Sequence, residues 1–275
     1  MTAYKAYETM LWANHCLIKA GGPQKLTEAQ KRQITSTLLA ARSTPEQVRK
    51  FQAGVRRFQS SEGGRLYPEL FLPPYNRGKK LKTIFNQTPK TQIFSANMYE
   101  LEVIRLLCLL APEEGEVPAL RDSVLDRLRT TCFGSQDDGV GECFDTSLVV
   151  LRFLCTAAPE NERWIQSRME NYLRHKDEKK RPWFSQWYYW LCLSEAPLSV
   201  AEEELRRNLP PMLHWLNDRS FVMHSEHDCT VHPTLACMLR NAAARCPEYE
   251  YIQERQPYIR EKDGRLHFNM EPVSP

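Results

Sequence analysis

Apolar residues recur along this chain at three- and four-residue spacing far more often than they alternate, and that period belongs to the amphipathic helix. The spacing predicts helices over 7–19, 27–41, 45–59, 99–110, 118–133, 146–157, 162–175, 184–193, 200–216 and 234–244. Their ends carry the chemistry of helix boundaries. Gly21-Gly22-Pro23 stops the first, Thr27 and Thr44 stand as N-caps, Pro45 takes a first helical position, Pro112 follows the fourth helix, and Asp145 caps the sixth. No convincing strand-type alternation accompanies them, so the expected class is all-α, in a single domain over 1–275. Two stretches stand outside the pattern. Residues 60–97 combine Gly63-Gly64, Pro68, Pro73-Pro74, Gly78 and Pro89 with Arg77, Lys79, Lys80 and Lys82, and read as a long irregular insertion. The polar tail after about 247 is expected to fray at its end.

A repeat organises the helices. Cys108, Cys155 and Cys192 each end an apolar helix and are followed by a proline, at Pro112, Pro159 and Pro197. The intervals from Cys108 to Cys155, Cys192 and then Cys237 are 47, 37 and 45 residues, and Cys16 precedes Cys108 by 92, about two repeats. Each unit alternates a nearly all-apolar helix with an amphipathic one. A helix that is apolar all round must be buried, and its amphipathic neighbour then lies outside it. The packing solution is an inner ring of helices wrapped by an outer ring, with the cysteines as small core residues.

Composition narrows the function classes. With 275 residues, 42% of them hydrophobic, the chain is long enough to bury a core without disulfides or metals. A formal charge of +3 gives no basis for nucleic-acid binding through bulk charge. The longest apolar runs, such as 106–111, fall far short of the roughly 18 residues of a membrane span. Lys5, Glu8, His15 and Lys19 interrupt the first helix, so it does not read as a secretory signal. Nine cysteines, an odd number with no CxxC pair, then point to reduced thiols in a soluble, cytoplasmic protein.

Two segments carry a family resemblance. Cys132-Phe-Gly-Ser-Gln-Asp-Asp-Gly-Val-Gly-Glu142 runs into Cys-Phe-Asp145-Thr-Ser-Leu-Val-Val-Leu-Arg-Phe-Leu154, and Arg57-Phe-Gln-Ser-Ser-Glu-Gly-Gly-Arg-Leu-Tyr67 is built alike. Both resemble the Gln-to-Gly loops of the squalene-cyclase and protein-prenyltransferase repeat superfamily. There a helix ends, a Gln sits in a turn, a Gly-x-Trp or similar follows, and an Asp-Thr opens the next inner helix. The tryptophan of that pattern is replaced here, with Val140-Gly141 in one loop and Arg65-Leu66 in the other. The resemblance spans about residues 55–245 and is best over 132–154. It implies an α/α toroid of about five or six helical hairpins. It further implies a small terpenoid-cyclase-like or prenyltransferase-like enzyme, with an aromatic-lined central cavity for an apolar, isoprenoid-type substrate. The same toroid also serves non-enzymes, so a non-catalytic toroid that binds a peptide or protein partner is the competing expectation.

In such a fold the inner helices run parallel, and the residues just ahead of each converge on one mouth, where positive helix ends favour an anionic group. Glu142, Asp145 and His232 are the candidates for acid–base work there. Tyr99, Trp183, Trp187 and Tyr188 are the candidates for holding an apolar substrate. The run Trp183-Phe-Ser-Gln-Trp-Tyr-Tyr-Trp190 offers cation–π surface, and it equally suits the plain core of a wide helical barrel. His227, Cys229 and His232 are spaced to reach one zinc ion. The resemblance adds that protein prenyltransferases bind zinc through an Asp and a Cys ahead of one inner helix and a His at another. Asp228 and Cys229 approach that pair, but they are adjacent where the family has one residue between. Asp137, Asp138 and Glu142 resemble an acidic magnesium motif of terpene synthases, but Gly139 and Gly141 oppose the helix it requires. The chain holds no Asp-x-Asp-Asp proton donor, hydrolase triad, P-loop or dinucleotide fingerprint.

Overall fold

The structure, a computed structural model, describes residues 3–56, 68–74, 81–89, 92–135, 142–176, 184–217, 221–223, 228–262 and 265–270. They are predominantly helical. The helices are α1 (Ala3–Ala20), α2 (Glu28–Leu39), α3 (Pro45–Arg56), α4 (Gln92–Leu110), α5 (Val117–Leu128), α6 (Cys132–Ser135), α7 (Glu142–Ala157), α8 (Glu162–His175), α9 (Phe184–Glu195), α10 (Leu198–Asn217) and α11 (Asp228–Ala243). Boundary chemistry works as the sequence suggests. Gly21, with φ +81°, ends α1 in the left-handed conformation that glycine adopts without strain. Thr27 and Gln30 form a capping box at α2, with the Gln30 N–H 3.2 Å from the Thr27 hydroxyl and the Thr27 N–H 2.9 Å from Gln30 Oε1. Thr44 and Gln47 repeat it at α3. Asp145 is not the cap of α7, because that helix begins at Glu142 and places Asp145 inside its first turn.

Two regions depart from the simple helical expectation. The described parts of the insertion are not peripheral, since α4 starts at Gln92 and residues 68–74 and 81–89 lend Phe71, Leu81, Ile84 and Phe85 to the core. The Glu100 carboxylate anchors one part of it by accepting the backbone N–H groups of Glu69, Leu70 and Phe71 at 2.6–3.0 Å, with Arg127 at 2.8 Å on its other oxygen. The polar stretch after 247 is also more than a tail. It holds a 3₁₀ segment (Pro247–Glu254) and the strands β2 (Pro257–Lys262) and β3 (Arg265–Met270), and β3 pairs in turn with β1 (Phe221–Met223). The sheet has the order β1-β3-β2, is antiparallel throughout, and packs on α11.

Burial sorts the helices into two kinds. Helices α4, α7, α9 and α11 are buried along most of their described length, whereas α2, α8 and α10 bury one face. The buried helices and α1 touch in a closed order, α1 on α4, α4 on α7, α7 on α9, α9 on α11, and α11 back on α1. Outside this cycle α2 lies on α1 and α4, α5 on α4, α8 on α7, and α10 on α9 and α11. Cys108, Cys155, Cys192 and Cys237, the cysteines that mark the repeat, are buried one to a helix on α4, α7, α9 and α11. Burial raises the pKa of each, to about 11 at Cys108, so these side chains are thiols that fill space.

A charged layer joins four members of the cycle. Arg152 on α7 reaches both oxygens of Glu195 on α9 at 2.8 Å and both oxygens of Glu102 on α4 at 2.8 and 3.0 Å. Arg105 on α4 donates to Glu102 at 3.1 Å, lies 3.6 Å from Glu195 and hydrogen-bonds Asn14 on α1. The Tyr188 hydroxyl of α9 donates to Glu102, and the Arg152 guanidinium lies 6.0 Å from the centre of the Tyr188 ring. Two arginines and two glutamates cancel in charge. Three of the four side chains are at most 3% exposed. Burial alone would raise the Glu102 pKa, but Arg152, Arg105 and the Tyr188 hydroxyl together pull it down to about 2. One α1–α11 contact is made by His15 Nδ1, 2.9 Å from the Thr234 hydroxyl. Burial, with Lys19 and Arg152 adding to it, lowers the His15 pKa to about 4, so this ring is neutral at pH 7.

The depressed Glu102 pKa sets an acid limb. Its contribution to stability is complete above the unfolded carboxyl pKa of about 4.5 and is lost as pH falls toward the folded value of about 2. Over that window denaturant titrations should show a loss on the order of 3 kcal/mol from this group. Glu102→Gln should be less stable at pH 7 and show a flatter acid limb. An acid limb with the wild-type slope in this variant would assign the titration elsewhere.

Candidate functional site

The sequence places its candidates at the N-terminal ends of the buried helices, and the structure gathers several of them into one aromatic belt. Tyr99 lies in the second turn of α4 and is fully buried. Its ring centre is 6.5 Å from that of Tyr7 on α1. The Tyr7 hydroxyl accepts from the Lys82 N–H at 2.6 Å and donates to the Lys82 carbonyl at 3.0 Å. Lys82 begins a tight turn closed by Thr83 N–H to the Gln87 carbonyl (2.8 Å) and Asn86 N–H to the Thr83 carbonyl (2.9 Å), with Asn86 at φ +58°. Asparagine tolerates that left-handed position better than most residues. The turn carries Phe85 edge-on to Trp187 at 6.1 Å and to Tyr188 at 6.4 Å, and Trp187 meets Trp215 of α10 edge-on at 5.7 Å. These separations and angles are those of favourable aromatic pairs.

The aromatic run on α9 thus divides by face. Trp187 and Tyr188 turn to the Phe85 belt, while Tyr189 and Trp190 turn to the outer helices. Tyr189 stacks on Tyr172 of α8 at 4.2 Å, and Trp190 donates to Asn208 of α10 at 2.9 Å. Polar groups beside the belt are sparse and incompletely used. Both amide atoms of Asn97 and the Tyr99 hydroxyl are buried without a hydrogen-bond partner among the described residues. Burial pushes the Tyr99 phenol well above its ordinary pKa, so it stays protonated. An unpaired buried hydroxyl or amide is costly, and these atoms, with Gln87 Oε1 in the adjoining turn, hold unspent hydrogen-bonding capacity.

Other candidates are distributed differently. Asp145 is nearly buried on α7, and His232 is half-buried on α11, with α9 between those helices in the cycle. Glu142 opens α7, and its side chain lies outside the described residues, as does that of Cys229 on α11. Trp183 and His227 lie outside them entirely. Among the described residues no group of three or more His, Cys, Asp and Glu is placed to hold a metal ion. The 132–154 stretch is described at both edges of its loop. Gly134 sits where any Cβ would strike the Leu128 carbonyl, and its own carbonyl accepts from Trp164 Nε1 at 2.6 Å. Cys132 and Cys143 bring the two edges together, with their sulfurs 3.4 Å apart.

Two structural elements are not visible in the sequence pattern. Phe85 sits in a segment read as irregular loop, and its only signal was an Ile-Phe pair between polar residues. Glu102, Arg105, Arg152 and Glu195 lay in or beside helices read as apolar, and their signal was charge where a buried helix has least room for it. No family model, no curated protein and no solved structure matches this chain. Among the described residues no helix is long and apolar enough to cross a membrane.

Proposed function

We propose that the chain is an α/α toroid, with α1, α4, α7, α9 and α11 as its inner ring, and that the aromatic end of this ring binds an apolar, isoprenoid-type small molecule. The activity that goes with this reading is prenyltransferase-like or terpenoid-cyclase-like. One observation carries it: the Phe85 ring stands edge-on to Trp187 and Tyr188, where an apolar ligand group would find the same aromatic faces. In this proposal the ligand's apolar group takes the place of the Phe85 ring against Trp187 and Tyr188. Tyr99, Trp183, Trp187 and Tyr188 are its walls in this proposal, and aromatic faces also stabilise the positive charge that develops when an allylic cation forms. The Tyr99 hydroxyl and Asn97 amide are polar groups with capacity for a ligand's oxygen. Glu142, Asp145 and His232 are the proposed acid–base groups. A zinc ion on His227, Cys229 and His232 is the metal-dependent form of the same proposal.

The test is titration with farnesol, followed by tryptophan emission. Saturable quenching is expected in the wild type. It should shift to about tenfold lower ligand concentration in Phe85→Ala and be lost in Trp187→Ala. Quenching that is not saturable, or that ignores both substitutions, would contradict the apolar site and leave a toroid that binds a peptide or protein. Elemental analysis of the purified protein beside Cys229→Ala decides the metal branch. Stoichiometric zinc that disappears in the variant supports it, and zinc-free wild-type protein removes it.

A further inference from the structure

A concavity opens at the end of the buried helices opposite the aromatic belt, where their C-termini gather. It has a volume of about 460 Å³, within the range of small-molecule sites. Its apolar wall is Leu17 and Ile18 of α1 with Leu109 of α4, and its other walls include Thr156, Ser194 and Arg245. The charged layer forms its floor through Arg105 and Glu195, whose carboxylate is 25% exposed. That floor carries no net charge, because Glu102 and Glu195 balance Arg105 and Arg152. Arg245 is the exception in the wall. It donates to the carbonyls of Leu193 and Ala196 at the end of α9, and no described carboxylate forms an ion pair with it.

The carbonyl end of α9 offsets roughly half a charge. Burial pulls the Arg245 pKa below the ordinary arginine range, and the attraction of Glu195, itself held at both oxygens by Arg152, does not offset it. A guanidinium has five N–H donors, and two backbone bonds leave three of them. On the α1 side of the cavity, Asn241 and Arg240 already cap the Ile18 and Lys19 carbonyls at 2.7 and 3.0 Å, which weakens the negative potential of that helix end.

We infer that this cavity binds a small monocarboxylate with an apolar body. Its carboxylate pairs with Arg245, and its hydrocarbon part lies on Leu17, Ile18 and Leu109. The site is independent of the aromatic end and of any chemistry there. A cationic ligand is disfavoured because it would meet Arg245 while finding Glu195 already held at both oxygens by Arg152.

Calorimetric titration with octanoate, octanamide and octylamine tests this directly. Octanoate should bind the wild type at least tenfold more tightly than either analogue. Arg245→Gln should lose that preference. Because Arg245 also caps α9, Thr156→Trp serves as the second variant. It fills the mouth from α7 without touching the cap, so it should keep the wild-type melting temperature and lose octanoate binding. Equal binding of the three probes, octanoate binding unchanged in either variant, or no octanoate binding to the wild type would overturn the assignment.

Discussion

The interaction on which the rest depends is the buried contact of Arg152 with Glu102 and Glu195. Each of these residues stands on a different buried helix, and Arg105 and Asn14 extend the contact to α1. Helices packed only through leucines and valines slide and rotate at modest cost. A guanidinium that must meet two carboxylates at 2.8 Å fixes rotation and register together. The cost is desolvation, and a buried ionic cluster is rarely more stable than a well-packed apolar one. Its value here is specificity. Helix α4 brings Glu102 and Arg105 and is neutral by itself, so the layer balances only when α7 supplies Arg152 and α9 supplies Glu195, and an arrangement that separates those two helices buries unpaired charge.

This layer also divides the interior. Toward the N-termini lie aromatic rings and a few unsatisfied polar groups. Toward the C-termini lies an open concavity with a guanidinium in its wall. Between them lie the ion pairs of Glu102, Arg105, Arg152 and Glu195. A ligand at the aromatic end is bounded below by Tyr188, whose hydroxyl is committed to Glu102. That commitment ties the wall of the proposed site to the structural layer, which makes the site rigid on one side. The other side is the 82–87 turn, held to Tyr7 through one phenol.

The sequence showed much of the helical framework because helix capping and apolar periodicity are local. Thr27, Thr44 and Gly21 act at the positions their chemistry suggests, and the spaced cysteines mark the buried helices. What was not legible depends on distant partners. Glu102 and Arg152 are 50 residues apart, and nothing near either in sequence reveals that they neutralise each other. Phe85 becomes a core residue only because Trp187 and Tyr188 are brought to it. The strands after 257 were masked by polarity, since the alternation of Leu266, Phe268 and Met270 is short and the Asp263-Gly264 pair before it is a hairpin signal only when both flanks are read as strands. Of the site candidates, Tyr99, Trp187 and Tyr188 fall along one belt, while Asp145 and His232 stand on helices that α9 separates.

The most direct test of the central claim is a double-mutant cycle on Arg152 and Glu102, by denaturant unfolding at pH 7. Arg152→Met and Glu102→Gln each leave one buried charge unmatched, and each should cost about 3 kcal/mol or more. The double variant restores neutrality around Arg105 and Glu195, so it should be more stable than the sum of the two losses implies, with a coupling of about 2 kcal/mol or more. Additive losses, with coupling near zero, would show that the two side chains do not hold the helices through each other.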